Sequence, residues 1–148
     1  MSKLEIKVKR LSERAIIPKY QTEGSACFDI HALINSPYDI INPKDQLLVK
    51  TGLAFEIPIG YELQIRPRSG LAKKHKITVT NSPGTLDSDY RGELMILIYN
   101  LGDQPFSINS GDRIAQCAVC PVVNALITEV EELDDTDRGS GGFGSTGV

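Results

Sequence analysis

Three stretches of this chain place reactive residue types at useful spacing. Asp87, Asp89 and Glu93 follow a Ser82-Pro83-Gly84 turn. On extended chain they share a face, and carboxylates so placed could bind a metal or supply a general base. Asp-x-Asp-x-x-Gly also resembles part of a calcium loop, but the ligand spacing of an EF-hand is absent. Arg66-Pro67-Arg68-Ser69-Gly70-Leu71-Ala72 sets two guanidiniums, a hydroxyl and a glycine where a strand gives way to a helix start. Such a junction offers N–H groups and fixed positive charge to an anion. Arg138 precedes the glycine-rich run from Gly139 to Gly147, which holds Phe143. Glycine amides can approach phosphate oxygens closely, the guanidinium adds a phosphate fork, and the aromatic plane suits a base. The run is not a P-loop, because no Gly-Lys-Ser/Thr follows it. Taken singly, each stretch has a plain alternative: a polar turn, a turn with solvated arginines, a solubilising tail.

Two other pairings carry less. Cys117 and Cys120 stand three apart on an apolar run that reads as a strand, so their side chains face opposite ways. No second pair completes a zinc site, and buried apolar thiols are the better reading. His31 and His75 lie far apart without ligand-like companions.

The elements that must position these groups are strands. Leu4, Ile6 and Val8 alternate with charged residues, as do Tyr61, Leu63 and Ile65 with polar ones. Each pattern predicts a strand with one wet face. The nearly continuous apolar runs Leu94 to Tyr99 and Ile114 to Val123 predict core strands. Turn chemistry separates them, at Asn42-Pro43-Lys44-Asp45, Pro58-Ile59-Gly60 and Asn109-Ser110-Gly111-Asp112. Short strands with frequent turns predict an all-β fold, a sandwich, barrel or jelly roll. The one short helix is expected over Ser69 to His75, with Ser69 as its cap.

With 148 residues the chain fits one domain and can bury a core without disulfides or a structural metal. No apolar run is long enough to span a membrane, and the charged start reads as no signal peptide. Three cysteines make no disulfide framework, so a reducing, cytoplasmic setting is expected. Residues 129 to 137 carry six acids and no base, which leaves the rest mildly basic despite a net charge of −3. That suits a small polyanion and is too weak for duplex nucleic acid.

Together and in order, these stretches resemble the five motifs of the trimeric deoxyuridine triphosphate nucleotidohydrolases (dUTPases). The first is Gly24-Ser25-Ala26-Cys27-Phe28-Asp29-Ile30 and the second Arg66 to Ala72. The third runs from Ile77 through Asn81 and Gly84 to Gly92. Gly111-Asp112-Arg113-Ile114-Ala115-Gln116 is the fourth, and Asp137-Arg138-Gly139 through Phe143-Gly144 the fifth. The chain departs from the family pattern at Cys27, Phe28, Lys76, Pro83, Leu86 and Tyr99, none of which carries the chemistry.

The resemblance implies a jelly roll or distorted β-barrel of short antiparallel strands, assembled as a homotrimer with sites between subunits. Residues 1–128 would form the catalytic body, and residues 129–148 an acidic linker and glycine-rich lid. The implied reaction is hydrolysis of dUTP to dUMP and pyrophosphate, which keeps uracil out of DNA and supplies dUMP for thymidylate synthesis. Asp87 would be the general base, with Mg²⁺ across the phosphates and Asp29 reaching it through water. Arg68, Ser69, Gly70 and Gln116 would hold phosphates, and Arg138 of another subunit the γ-phosphate. Asn81, Thr85 and Leu86 would read uracil. Tyr90, supported by Met95, would exclude a 2′-hydroxyl, and Phe143 with Gly144 would close over the base. The rivals are a dCTP deaminase-like enzyme, a non-catalytic nucleotide-binding module on the same fold, and a capsid- or lectin-like jelly roll.

Overall fold

A computed structural model describes residues 4–147. The strands are β1 (Lys7–Arg10), β2 (Cys27–His31), β3 (Asp39–Ile41), β4 (Gln46–Lys50), β5 (Leu53–Glu56) and β6 (Tyr61–Arg66). A single helix, α1 (Ser69–His75), leads to β7 (Ile77–Val79), β8 (Gly84–Leu86), β9 (Met95–Asn100), β10 (Phe106–Ile108) and β11 (Arg113–Pro121). The all-β expectation holds, and the strands do not close into a barrel. They form a four-stranded sheet, β2-β11-β6-β8, a three-stranded sheet, β4-β9-β7, and two pairs, β1-β5 and β3-β10. Every pairing is antiparallel.

One apolar core joins the sheets. Ile30, Leu63, Ile98, Ile108 and Cys117 are fully enclosed there, each from a different strand. In β6, Leu63 and Ile65 point inward while Glu62, Gln64 and Arg66 stay half-exposed, as the period-two pattern requires. The same parity separates the two cysteines of β11: Cys117 is buried and Cys120 reaches the surface. Burial pushes the Cys117 thiol up to about 12, so it remains protonated and inert at neutral pH. Both thiols are free, as is Cys27.

Helix α1 spans the expected residues but is capped differently. Arg68, in extended conformation, is the N-cap, and no side chain caps the helix start. Ser69 is therefore the first helical residue, because Pro67 keeps Arg66 extended and only Arg68 remains to make the transition. At the other end Lys76 adopts the left-handed conformation, φ 56°, and its N–H closes the last turn onto Ala72 and Leu71. A side chain costs roughly 1–2 kcal/mol in that conformation, and glycine is the usual residue there. Lys76→Gly is expected to stabilise the fold by about 1 kcal/mol, read as a higher melting temperature with activity unchanged.

After β11 the residues from 122 to 147 form no strand or helix and are exposed almost throughout.

Candidate active site

Strand register assembles the first half of the site. In the four-stranded sheet, Gln116 of β11 lies opposite Asp29 of β2 on one side and Arg66 of β6 on the other. A bulge between Arg113 and Ala115 re-phases β11 ahead of Gln116 and leaves Arg113 beside the Asp29 carboxylate. Asp29 is 8% exposed, and both its oxygens are engaged. Arg68 Nε donates to Oδ1 at 3.0 Å and Arg113 Nη1 to Oδ2 at 3.2 Å. Arg68 Nη1 also reaches the Arg113 carbonyl at 3.2 Å, while Gln116 Nε2 ties the Pro67 carbonyl at 2.9 Å. One carboxylate thus orients two guanidiniums, and net positive charge remains on this face. Ser69 and Gly70 follow immediately, exposed on the uncapped first turn of α1.

The second half is a cleft of about 260 Å³ between β8 and the outer face of β4 and β9. Asn81, Thr85, Leu86, Asp87, Tyr90 and Met95 line it, so six expected site residues come together. Leu48 and Leu97 extend its apolar floor. Pairing of Ile65 with Gly84 fixes the hairpin against β6. A Cβ on Gly84 would stand 3.3 Å from both Ile65 Cβ and Asn81 Nδ2, tighter than ordinary packing. Glycine at this position lets the hairpin backbone line the cleft closely.

The three carboxylates do not share a face. A turn in which the Tyr90 N–H donates to the Asp87 carbonyl ends the extended chain and breaks the two-residue alternation. Asp87 lines the cleft, and Asp89 does not. Glu93 lines it too, but its Oε1 accepts the Gly52 N–H at 2.8 Å. Among the described residues nothing donates to the Asp87 carboxylate, leaving its lone pairs for a ligand or water. No group of three or more His, Cys, Asp or Glu side chains among the described residues could cage a metal.

The third expected component lies apart. Arg138 donates from Nε to the Gly141 carbonyl within its own segment, and Phe143 is fully exposed. Neither they nor Gly144 line the cleft. Arg113 matters in this arrangement without having been assigned a role from sequence. Arg113 sat inside the fourth motif, and its side-chain type was the available signal.

Residues 13–147 match the dUTPase family model. The chain belongs to the dUTPase family. It is 56% identical over 144 residues to deoxyuridine 5′-triphosphate nucleotidohydrolase of Nautilia profundicola, covering 97% of this chain and 99% of that one. The enzyme of the same name from Helicobacter pylori strain Shi470 is 51% identical over 145 residues, 98% of each chain. Among solved structures, Staphylococcus bacteriophage 80alpha dUTPase with dUpNHpp aligns with a TM-score of 0.87 at 27% identity, covering 97% of this chain and 99% of that one. A mutant dUTPase from phage phi11 of S. aureus, described with a structural Mg(II) ion, aligns at 0.79 and 25% identity, covering 88% and 99%. In this dUTPase the departure at Lys76 falls on the strained helix end rather than on either half of the site. Asn100, next to the departing Tyr99, is buried and satisfied: Nδ2 donates to the Ile41 and Gln104 carbonyls, and Oδ1 accepts the Gly102 N–H. It is a structural residue.

Proposed function

We propose that this dUTPase hydrolyses dUTP to dUMP and pyrophosphate with Asp87 as the general base. The observation that carries this is a lone unengaged carboxylate, Asp87, in the cleft that also holds Tyr90 and the motif-three hairpin. Asp87 would take a proton from water as the water attacks the α-phosphorus. Phosphoryl chemistry asks the protein chiefly for positioning and charge stabilisation, which one carboxylate and several cations can provide. The backbone between Asn81 and Leu86 would pair with the edge of uracil and leave no room for a 5-methyl group. A site built around such hydrogen bonds rejects a mismatched edge strongly. Tyr90, backed by Met95, would form the wall against which deoxyribose fits and a 2′-hydroxyl does not.

Arg68, Ser69 and Gly70 would hold the phosphates, with Gln116 bracing the turn through Pro67. A Mg²⁺ here would be bound mainly by the substrate phosphates and its own waters. Asp29 fits contact through water, because each carboxylate oxygen has a second lone pair beyond its arginine. The ion's chemistry would be neutralisation of phosphate charge.

Asp29→Ala separates the arginine role from the metal role. It is expected to lower kcat/KM about 10–100-fold, the range for losing charge-assisted hydrogen bonds. If orientation of Arg68 and Arg113 dominates, raising Mg²⁺ will not restore activity, whereas recovery at high Mg²⁺ would make metal contact the main role.

A homotrimer with shared sites is supported by two features. No residue of the Asp29–Arg68–Arg113–Gln116 group lines the cleft, so within one chain the two halves of the site do not open into one pocket. Val123, Leu126, Ile127 and Leu133 stand almost fully in water, apolar side chains that a neighbouring chain would cover. Arg138 and Phe143 of one chain would then close over Asp87 of another. Free cysteines are consistent with a cytoplasmic setting, and no helix among the described residues is long and apolar enough to cross a membrane.

The testing experiment is a panel of nucleoside triphosphates assayed for pyrophosphate and for ammonia. Pyrophosphate from dUTP alone is expected. Ammonia from dCTP would point to a deaminase, and binding without either product to a non-catalytic module.

A further inference from the structure

Gly92 is the unexpected residue of the cleft loop. Three atoms lie closest to a Cβ built on it, and all belong to the Tyr90 ring. That Cβ would overlap Oη and stand 2.5 Å from Cζ and 3.1 Å from Cε2. Gly92 is not in the left-handed region, so its backbone does not require glycine. What requires glycine is the ring lying on it.

The surrounding contacts explain why the ring must rest there. Tyr90 Oη donates to the Glu93 carbonyl at 3.2 Å, folding the ring back along its own loop. Glu93 is in turn anchored by the Gly52 N–H, and the adjacent Leu94 carbonyl accepts from buried Thr51 at 2.6 Å. Arg91 Nη1 clips the other side, donating to the Ser88 carbonyl at 2.7 Å and the Tyr90 carbonyl at 3.2 Å. The far end of the loop is therefore fixed to the core, and the ring fills the space above Gly92.

We infer that Gly92 is a specificity-determining positioning residue, whose missing side chain sets the depth of Tyr90 in the cleft and hence the discrimination against ribonucleotides. This rests on the reading of Tyr90 as the sugar wall. Relieving a 2.5 Å contact requires the ring to move by roughly 1 Å, and misplacements of that size can cost on the order of 10²-fold. Gly92 is exposed, and the atoms an added Cβ would meet first all belong to the Tyr90 side chain.

The test is a double-mutant cycle read on dUTP and UTP, using the full-length protein. Gly92→Ala is expected to lower kcat/KM for dUTP about 10–100-fold, mainly through KM, with the dUTP-over-UTP preference reduced about tenfold. Its melting temperature should stay within about 3 °C of the parent, the surface-substitution range. Tyr90→Ala should reduce the preference to a similar degree. In the Tyr90→Ala background, adding Gly92→Ala should change neither quantity more than about twofold, because the ring it displaces has gone. Additive losses would overturn the inference while leaving the sugar wall intact. If Tyr90→Ala leaves the preference unchanged, the sugar-wall reading fails and the inference falls with it.

Discussion

Asp87→Asn should still bind dUTP while turnover falls ~10²–10⁴-fold, the usual contribution of a positioned base. The amide keeps the shape of the side chain and one acceptor oxygen but cannot accept the proton from water. Nothing among the described residues donates to this carboxylate, so the exchange breaks no internal hydrogen bond, and stability should be unchanged. Asp89→Asn is the matched control, one carboxylate removed from the same loop but outside the cleft, and it should retain nearly full activity. Calorimetric binding of dUTP beside pyrophosphate release separates the two expectations. Turnover of Asp87→Asn within a few-fold of the parent would mean that the base lies elsewhere.

Removal of residues 138–148 should be comparably severe for a different reason. It deletes Arg138, Phe143 and the glycine-rich run but no residue of the buried core. The melting temperature should barely move, because exposed chain contributes little to the folded state. Activity should fall by orders of magnitude, since the proposed lid would supply both a γ-phosphate contact and exclusion of water. Arg138→Ala and Phe143→Ala, tested separately, divide that loss between charge and closure. Full activity in the truncated protein would reduce the segment to a solubilising tail.

Some of this molecule is legible in its sequence, and the reasons are local. Tyr61–Arg66 alternates cleanly because one face of β6 meets the core and the other does not. Ser69–His75 reads as a helix because Pro67 sets its start and good helix formers follow. The short strands β3, β7, β8 and β10 have three residues each, too few for a period to be counted. That Asp87 and Glu93 line the cleft while Asp89 does not depends on a turn at Asp87–Tyr90 that the spacing alone did not reveal. The joint grip of Arg68 and Arg113 on Asp29 depends on register across distant strands and on a one-residue bulge. Gly92 stood in the third motif without a role, since its closeness to the Tyr90 ring depends on where that ring folds back. The residues of the site were thus readable as types, whereas their division into two halves is a property of the fold.

In the proposed assembly the base and the lid of one site would come from different chains. Asp87→Asn assemblies have intact lids and no base, and assemblies truncated before Arg138 have intact bases and no lid. Each should be nearly inactive alone. The two are dissociated, mixed and reassembled, native mass spectrometry confirms that mixed trimers have formed, and pyrophosphate release from dUTP is measured. Activity should return in proportion to the statistical fraction of sites that pair an intact Asp87 with an intact tail from a neighbour. Mixed trimers without recovered activity would rule out a site shared between chains and place each tail over its own chain.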